Sequence, residues 1–221
     1  MIQATTLQFL KELKENNHKE WFDNNRKAYE SAKKDFIEFT ESLIQGLGKF
    51  DKSIAEANLE AKSCISRLNR DIRFSKDKSP YKTNFFAMIN RGGKKSNAAC
   101  YYVQLQPENV FMGGGVYMPM PPDLQKFRQE IDYNFQEWKG IITKDSFKKQ
   151  FPKGVESPET LSRPPKGYEE SNPAIEYLKM KGFYTWKPFS DAEIQSSSAV
   201  EGVLESFETV MPMIDFLNRG L

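Results

Sequence analysis

Residues 70–82, RDIRFSKDKSPYK, place five cations, two aspartates, two serines and a proline in thirteen positions. No regular helix or strand needs that mixture. Arg70, Arg73, Lys78 and Lys82, with Arg67 just upstream, are the residue types that grip an oxyanion: arginine offers a planar fork, lysine a point charge. Ser75, Ser79 and turn amides add neutral donors. The competing reading is structural. Asp71 and Asp77 pair with neighbouring cations, Pro80 sets the turn, and Phe74 and Tyr81 anchor the loop to the core. Two carboxylates do not neutralise five cations, so the first reading accounts for the charge surplus and the second for the aspartates. A third use of the same residues is catalytic: Asp71 or Asp77 as general base or carboxylate metal ligand, with the cations stabilising developing negative charge.

The glycine triplet Gly113-Gly114-Gly115 stands between a strand and a helix. Glycine there either lets backbone amides approach an anion or allows a close strand crossing. RPPKGYEESNP, residues 163–173, is either a lid or a packed irregular loop. Tyr101 and Tyr102, near Phe85 and Phe86, would form a base-stacking platform only if exposed, and strand aromatics are more often core. Glu60-Ala61-Lys62 fits a nuclease-like E-x-K triplet but lacks a partnered strand aspartate. His18, in NNHKEWF, reads as a junction or cap residue.

The exclusions are firmer. One histidine and two cysteines leave no His-based metal site, no Ser-His-Asp triad, no zinc ribbon and no iron–sulfur cluster. No phosphate-binding or dinucleotide-binding glycine motif occurs. Cys64 and Cys100 do not make a disulfide framework, which favours a reducing cytoplasm. No apolar run approaches the roughly 20 residues that span a bilayer. Of the chain's net charge of +2, residues 61–100 carry ten Lys/Arg against two Asp, and everything else is net acidic. The basic block is therefore a local feature that calls for an anionic partner. Nucleic acid is the weaker candidate, because the remainder of the chain is acidic.

The elements that must position these residues follow from periodicity. Thr5 or Thr6 is placed to cap a first helix with Leu7, Leu10 and Leu13 on one face. A longer helix runs from about Glu20 with Phe22, Tyr29, Phe36, Phe39, Leu43 and Leu47 in register, ending at Gly48. NFFAMIN, ACYYVQLQ and VFMGGG read as three strands of an antiparallel meander over about residues 84–113. MPPDLQKFRQEI starts a helix, residues 152–171 wander, and Asn172-Pro173 opens a helix through Met180. FYTWKP reads as an edge strand closed by Pro188, Ser190…Glu193 as a capping box, and Pro212 as a bend in the last helix. With 17 Phe and 38% hydrophobic residues, the 221-residue chain has material for one core, and a single α+β domain is expected.

EWFDNNRKAY, RDIRFSKDKSPYK, VFMGGGVYMP and RPPKGYEESNP…LKMK, in this order and spacing, resemble an uncharacterised bacterial and fungal family, Domain of Unknown Function 2461. The resemblance covers nearly the whole chain. It implies one α+β domain whose recurring polar residues match Arg70, Asp71, Arg73, Asp77, Lys78, Tyr81 and Lys82, together with the glycine triplet. One departure is visible: relatives often carry histidine before the proline where this chain has Asn172, and a helix cap is a role asparagine fills equally well. The function expected is the binding of a phosphate-bearing or carboxylate small molecule by residues 67–82, with an enzyme or a nucleic-acid binder as alternatives. Cofactor, oligomeric state and ligand identity have no signal in the sequence.

Overall fold

Leu7, Phe9, Leu10 and Leu13 are buried along α1 (Ala4–Glu15), and the helix starts differently from the capping expectation. Gln3 occupies the N-cap, while the Thr6 hydroxyl is buried and donates to the Asp35 carboxylate at 2.5 Å. The same carboxylate accepts from the Gln3 amide at 2.9 Å, so α1 is capped by a distant side chain that no local pattern announces. The long helix expected next is two helices, α2 (Lys19–Asn24) and α3 (Arg26–Leu47). They part at Asn25, whose side chain donates to the Trp21 carbonyl at 2.9 Å and so competes with the helical ladder. His18 caps α2, its Nδ1 accepting from the Trp21 amide. Two short helices, α4 (Lys52–Ala55) and α5 (Ala61–Cys64), precede the sheet.

The structure, a computed structural model, describes residues 1–221. Its sheet has four antiparallel strands in the order β1 (Phe85–Ile89), β2 (Cys100–Leu105), β3 (Val110–Val116), β4 (Phe183–Phe189). The three-strand meander is where the sequence puts it, and β4 joins at the edge. Pro188 lies inside β4 and not beyond it, a position an edge strand tolerates. The remaining helices are α6 (Pro121–Tyr133), α7 (Phe135–Ile142), α8 (Asp145–Gln150), α9 (Ile175–Leu178), α10 (Asp191–Gln195) and α11 (Ala199–Asn218). Helix α9 is shorter than expected, and α11 continues through Pro212. Ser190 and Glu193 form the reciprocal capping box of α10. This is an α+β fold. No helix is long and apolar enough to cross a membrane.

The chain forms two compact units, each gathered from three separate stretches. The first comprises Met1–Lys94, Tyr102–Met112 and Pro188–Leu204, and it contains the basic stretch. Its core includes Leu10, Leu13, Leu43, Leu47 and Phe36, the last stacked 5.4 Å from Phe85. The second comprises Lys95–Tyr101, Gly113–Lys187 and Glu205–Leu221. At its centre Trp138 is fully buried among Tyr177, Phe183 and Phe216. Neither unit is continuous in sequence, so no linker composition marks a division.

Candidate anion-binding site

The residues before the basic loop are extended, a feature the sequence reading missed. Ile65 pairs antiparallel with Ala87, and Asn69 with Tyr81. Three backbone hydrogen bonds hold this ladder: Ser66 N–H to Phe86 O at 2.8 Å, Lys82 N–H to Leu68 O at 2.8 Å, and Arg70 N–H to Pro80 O at 2.9 Å. The available signal is short: Leu68 is buried between the exposed Arg67 and Asn69, while Ile65 breaks the alternation. Ile65 and Asn69 are four positions apart, whereas their partners Ala87 and Tyr81 are six apart. The surplus forms a bulge at Thr83–Phe85 opposite Arg67, the kind of irregularity that re-aims a side chain.

Tyr81 fixes the ladder to the helices. Its ring is buried and stacks on Phe22, with centroids 4.1 Å apart. The Asn17 side chain behaves like one residue of a neighbouring strand: its amide donates to Tyr81 O at 2.9 Å, and its oxygen accepts from Tyr81 N–H at 3.1 Å. Burial pushes the Tyr81 phenol above its ordinary value, with the nearby Asp23 charge adding to the effect. Tyr81 is thus the anchor the sequence suggests. Phe74 is not: it is 95% exposed at the tip of the loop, where no apolar neighbour closes over it. Only the Arg73 guanidinium approaches it, 5.8 Å from the ring centre.

Between Arg70 and Pro80 the loop satisfies most of its own charge. The Arg70 guanidinium donates to the Asp77 carboxylate, to Ser79 O at 3.2 Å and to Ser75 Oγ at 3.4 Å. Asp77 Oδ1 also accepts from the Ser79 amide at 2.9 Å and hydroxyl at 2.6 Å, an Asx-type turn. The Ser79 bonds first, then Arg70, hold the Asp77 carboxyl down at about 2. Arg73 forks onto Asp71, Nε to Oδ1 at 2.9 Å and Nη2 to Oδ2 at 2.7 Å. That pairing lowers the Asp71 pKa and raises that of Arg73. Lys78 Nζ donates to the Ile72 carbonyl at 3.0 Å. Arg70, Arg73 and Lys78 are therefore engaged within the loop. Neither aspartate has the raised pKa and open face of a general base, because arginine clamps both.

Three cations have no such partner: Lys76, exposed in the loop without a hydrogen bond or ion pair, Lys82 and Arg67. Lys82 is half-buried, and its ammonium reaches only the Ser66 hydroxyl, at 3.5 Å. Burial lowers its pKa first, and the charge of Arg67 lowers it further. Arg67, opposite the bulge, is exposed and forms no ion pair of its own, although its charge reaches Asp71 and helps to lower that carboxyl. Of the unpaired cations, Lys76 stands in solvent, whereas Arg67 and Lys82 are close enough for the charge of Arg67 to disfavour the Lys82 ammonium.

The other sequence candidates are placed elsewhere. The glycine triplet is buried strand: a Cβ on Gly113 would stand 1.9 Å from Thr185 O, and one on Gly115 would stand 2.1 Å from Phe183 O. A Cβ on Gly114 would stand 2.7 Å from Ile214 Cδ1. Gly113 and Gly115 are thus close approaches to the backbone of β4, and Gly114 packs under the Val210 and Ile214 side chains. Tyr101 and Tyr102 are both buried, the first against Phe207 and the second between Phe86 and Phe111, so they form no stacking platform. Glu60-Ala61-Lys62 opens the helical turn α5 and is not on a strand. Asn172 accepts from the Ala174 amide at 2.8 Å and donates to Asp132 at 2.6 Å. It borders an open cavity of about 400 Å³ between the end of α6 and the start of α7. No group of three or more His, Cys, Asp or Glu is arranged to hold a metal ion.

Residues 5–216 match a family described as Conserved hypothetical protein (DUF2461). The chain belongs to this family. No curated protein and no solved structure matches it. The family carries no stated activity, so the reading of function rests on the geometry above.

Proposed function

We propose that the protein binds a phosphate-bearing or carboxylate small molecule at Arg67 and Lys82, with the Ser66 hydroxyl as a neutral donor. The observation that carries this reading is the half-buried Lys82 ammonium, which has no carboxylate partner of its own and lies within reach of the charge of Arg67. Like charges held together lower each other's stability, and a bound oxyanion reverses the sign of that interaction. Arg70, Arg73, Asp71, Asp77 and Lys78 shape the loop in this reading, and Tyr81 anchors it. The glycine triplet has no part in it.

The test is a thermal-shift titration with pyrophosphate, citrate and nucleoside diphosphates on wild type, Arg67→Ala, Lys82→Ala and Arg73→Ala. A ligand present at a hundredfold its dissociation constant stabilises the fold by about 2.7 kcal/mol. The expected result is a rise in Tm for wild type and Arg73→Ala but not for the other two variants. The reading fails if no anion shifts wild type, or if Arg73→Ala alone loses the shift.

A further inference from the structure

The ladder that presents Arg67 has a second, unoccupied side. Ser66, Leu68 and Arg70 direct their backbone bonds at residues 80–86. Antiparallel alternation therefore turns the N–H and C=O of Arg67 and Asn69 the opposite way. Those four groups have no hydrogen bond, and both residues are exposed. At one end of this edge the Lys94 ammonium covers the carbonyls of Ile65 and Lys62, at 2.7 and 3.3 Å. The edge is thus short, unpaired and flanked by Arg67, Lys82, Lys62 and Lys94, none of which forms an ion pair; the carboxylate that feels the charge of Arg67 is Asp71, which is already forked by Arg73. An unpaired strand edge is a template for an added strand, and its charge selects the sequence that adds.

We infer that this edge takes an extended acidic peptide segment as an additional strand. Backbone bonds would run to Arg67 and Asn69, and a carboxylate side chain would lie at Arg67 and Lys82. The inference rests on the anion reading above and adds the class of partner. It depends on main-chain pairing, which neither a small anion nor a nucleic acid supplies.

Three probes separate the outcomes on the full chain: a fluorescent hexapeptide of alternating Val and Glu, the same peptide N-methylated on alternate backbone nitrogens, and pyrophosphate. The expected result is binding of the first by anisotropy, at least tenfold weaker binding of the N-methylated form, and competition by pyrophosphate. Arg67→Ala removes binding of both peptide and pyrophosphate. Asn69→Pro deletes one outward N–H and leaves the ladder bonds intact, so it weakens the peptide and spares pyrophosphate. If the two peptides bind alike, or an oligothymidylate displaces the peptide as strongly as it displaces itself, the strand-addition inference is wrong and the anion reading survives. If pyrophosphate also fails to bind, both fall.

Discussion

Replacing Asn17 by alanine should loosen the candidate site without touching a charged residue. The Asn17 side chain supplies both hydrogen bonds to the Tyr81 backbone, at 2.9 and 3.1 Å, and Tyr81 is buried against Phe22. A net hydrogen bond contributes about 0.5–1.5 kcal/mol, and a buried backbone group left unpaired costs about 1–3 kcal/mol. Partial access of water to the vacated position tempers the second figure, so the two bonds together come to about 3 kcal/mol. For a chain of this size each 1 kcal/mol moves Tm by about 2–4 °C, which gives a fall of roughly 6–12 °C. Amide hydrogen exchange supplies the local readout. The Lys82 and Arg70 amides, which close the ladder to Leu68 and Pro80, should lose protection more than the amides of α11. Asn17→Asp keeps the acceptor for Tyr81 N–H but aims a carboxylate at Tyr81 O. Its defect should therefore be largest at neutral pH and shrink as the carboxyl protonates and regains a donor. A Tm for Asn17→Ala within about 1 °C of wild type, with unchanged Lys82 exchange, would refute the claim that this clamp holds the ladder.

Gly113→Ala drives a Cβ to 1.9 Å from Thr185 O and 2.8 Å from Trp186 Cα, so it should cost about 3 kcal/mol or more in urea unfolding. Gly140→Ala, inside α7 with nothing within 4 Å, should gain about 0.5–1 kcal/mol. Lys82→Met should raise Tm at pH 7 while abolishing anion binding. The folded state depresses the Lys82 pKa, so the charged form weakens the fold at any pH below that value, and the penalty fades as pH rises toward the unfolded value of about 10.4. A lowered Tm would mean that Lys82 serves the fold. Asp77, held near 2, contributes stability that is present above an unfolded value of about 3.9 and is lost as pH falls through 2. The Ser79 amide resonance should titrate with a midpoint near 2, and a midpoint near 4 would contradict the Asp77–Ser79–Arg70 arrangement.

The sequence carried the elements better than the contacts between them. The meander, the α10 capping box and the Tyr81 anchor were legible because each is a local pattern: alternation, an S-x-x-E spacing, an aromatic beside proline. The Asp35 cap of α1 and the Asn17 clamp were not, since residues 29 and 64 positions apart meet only in the fold. Phe74 was misplaced because composition says that a phenylalanine prefers burial but not whether a loop tip offers any. The Ile65–Arg70 ladder was missed because its alternation is short and broken at Ile65, and its partner is bulged. For the glycine triplet both readings were open in sequence, and only the position of the Thr185 and Phe183 carbonyls separates them.

The self-pairing of the loop also bears on which cations a ligand would use. Arg70 and Arg73 each hold a carboxylate through charge-assisted bonds, which solvent screens because the pairs are exposed. An anion recruiting either arginine must first displace that carboxylate, so the net gain is small. Arg67 and Lys82 start from mutual repulsion, with desolvation already imposed on Lys82 by the fold. An anion arriving there breaks no bond, relieves the repulsion and recovers part of the desolvation cost. The internal pairs then have a use beyond neutralising charge. By fixing the 70–80 turn in advance, they spare the ligand the entropy of ordering it. The same reasoning bears on Lys82: a carboxylate matched to it within the loop would leave no reason for an anion to bind.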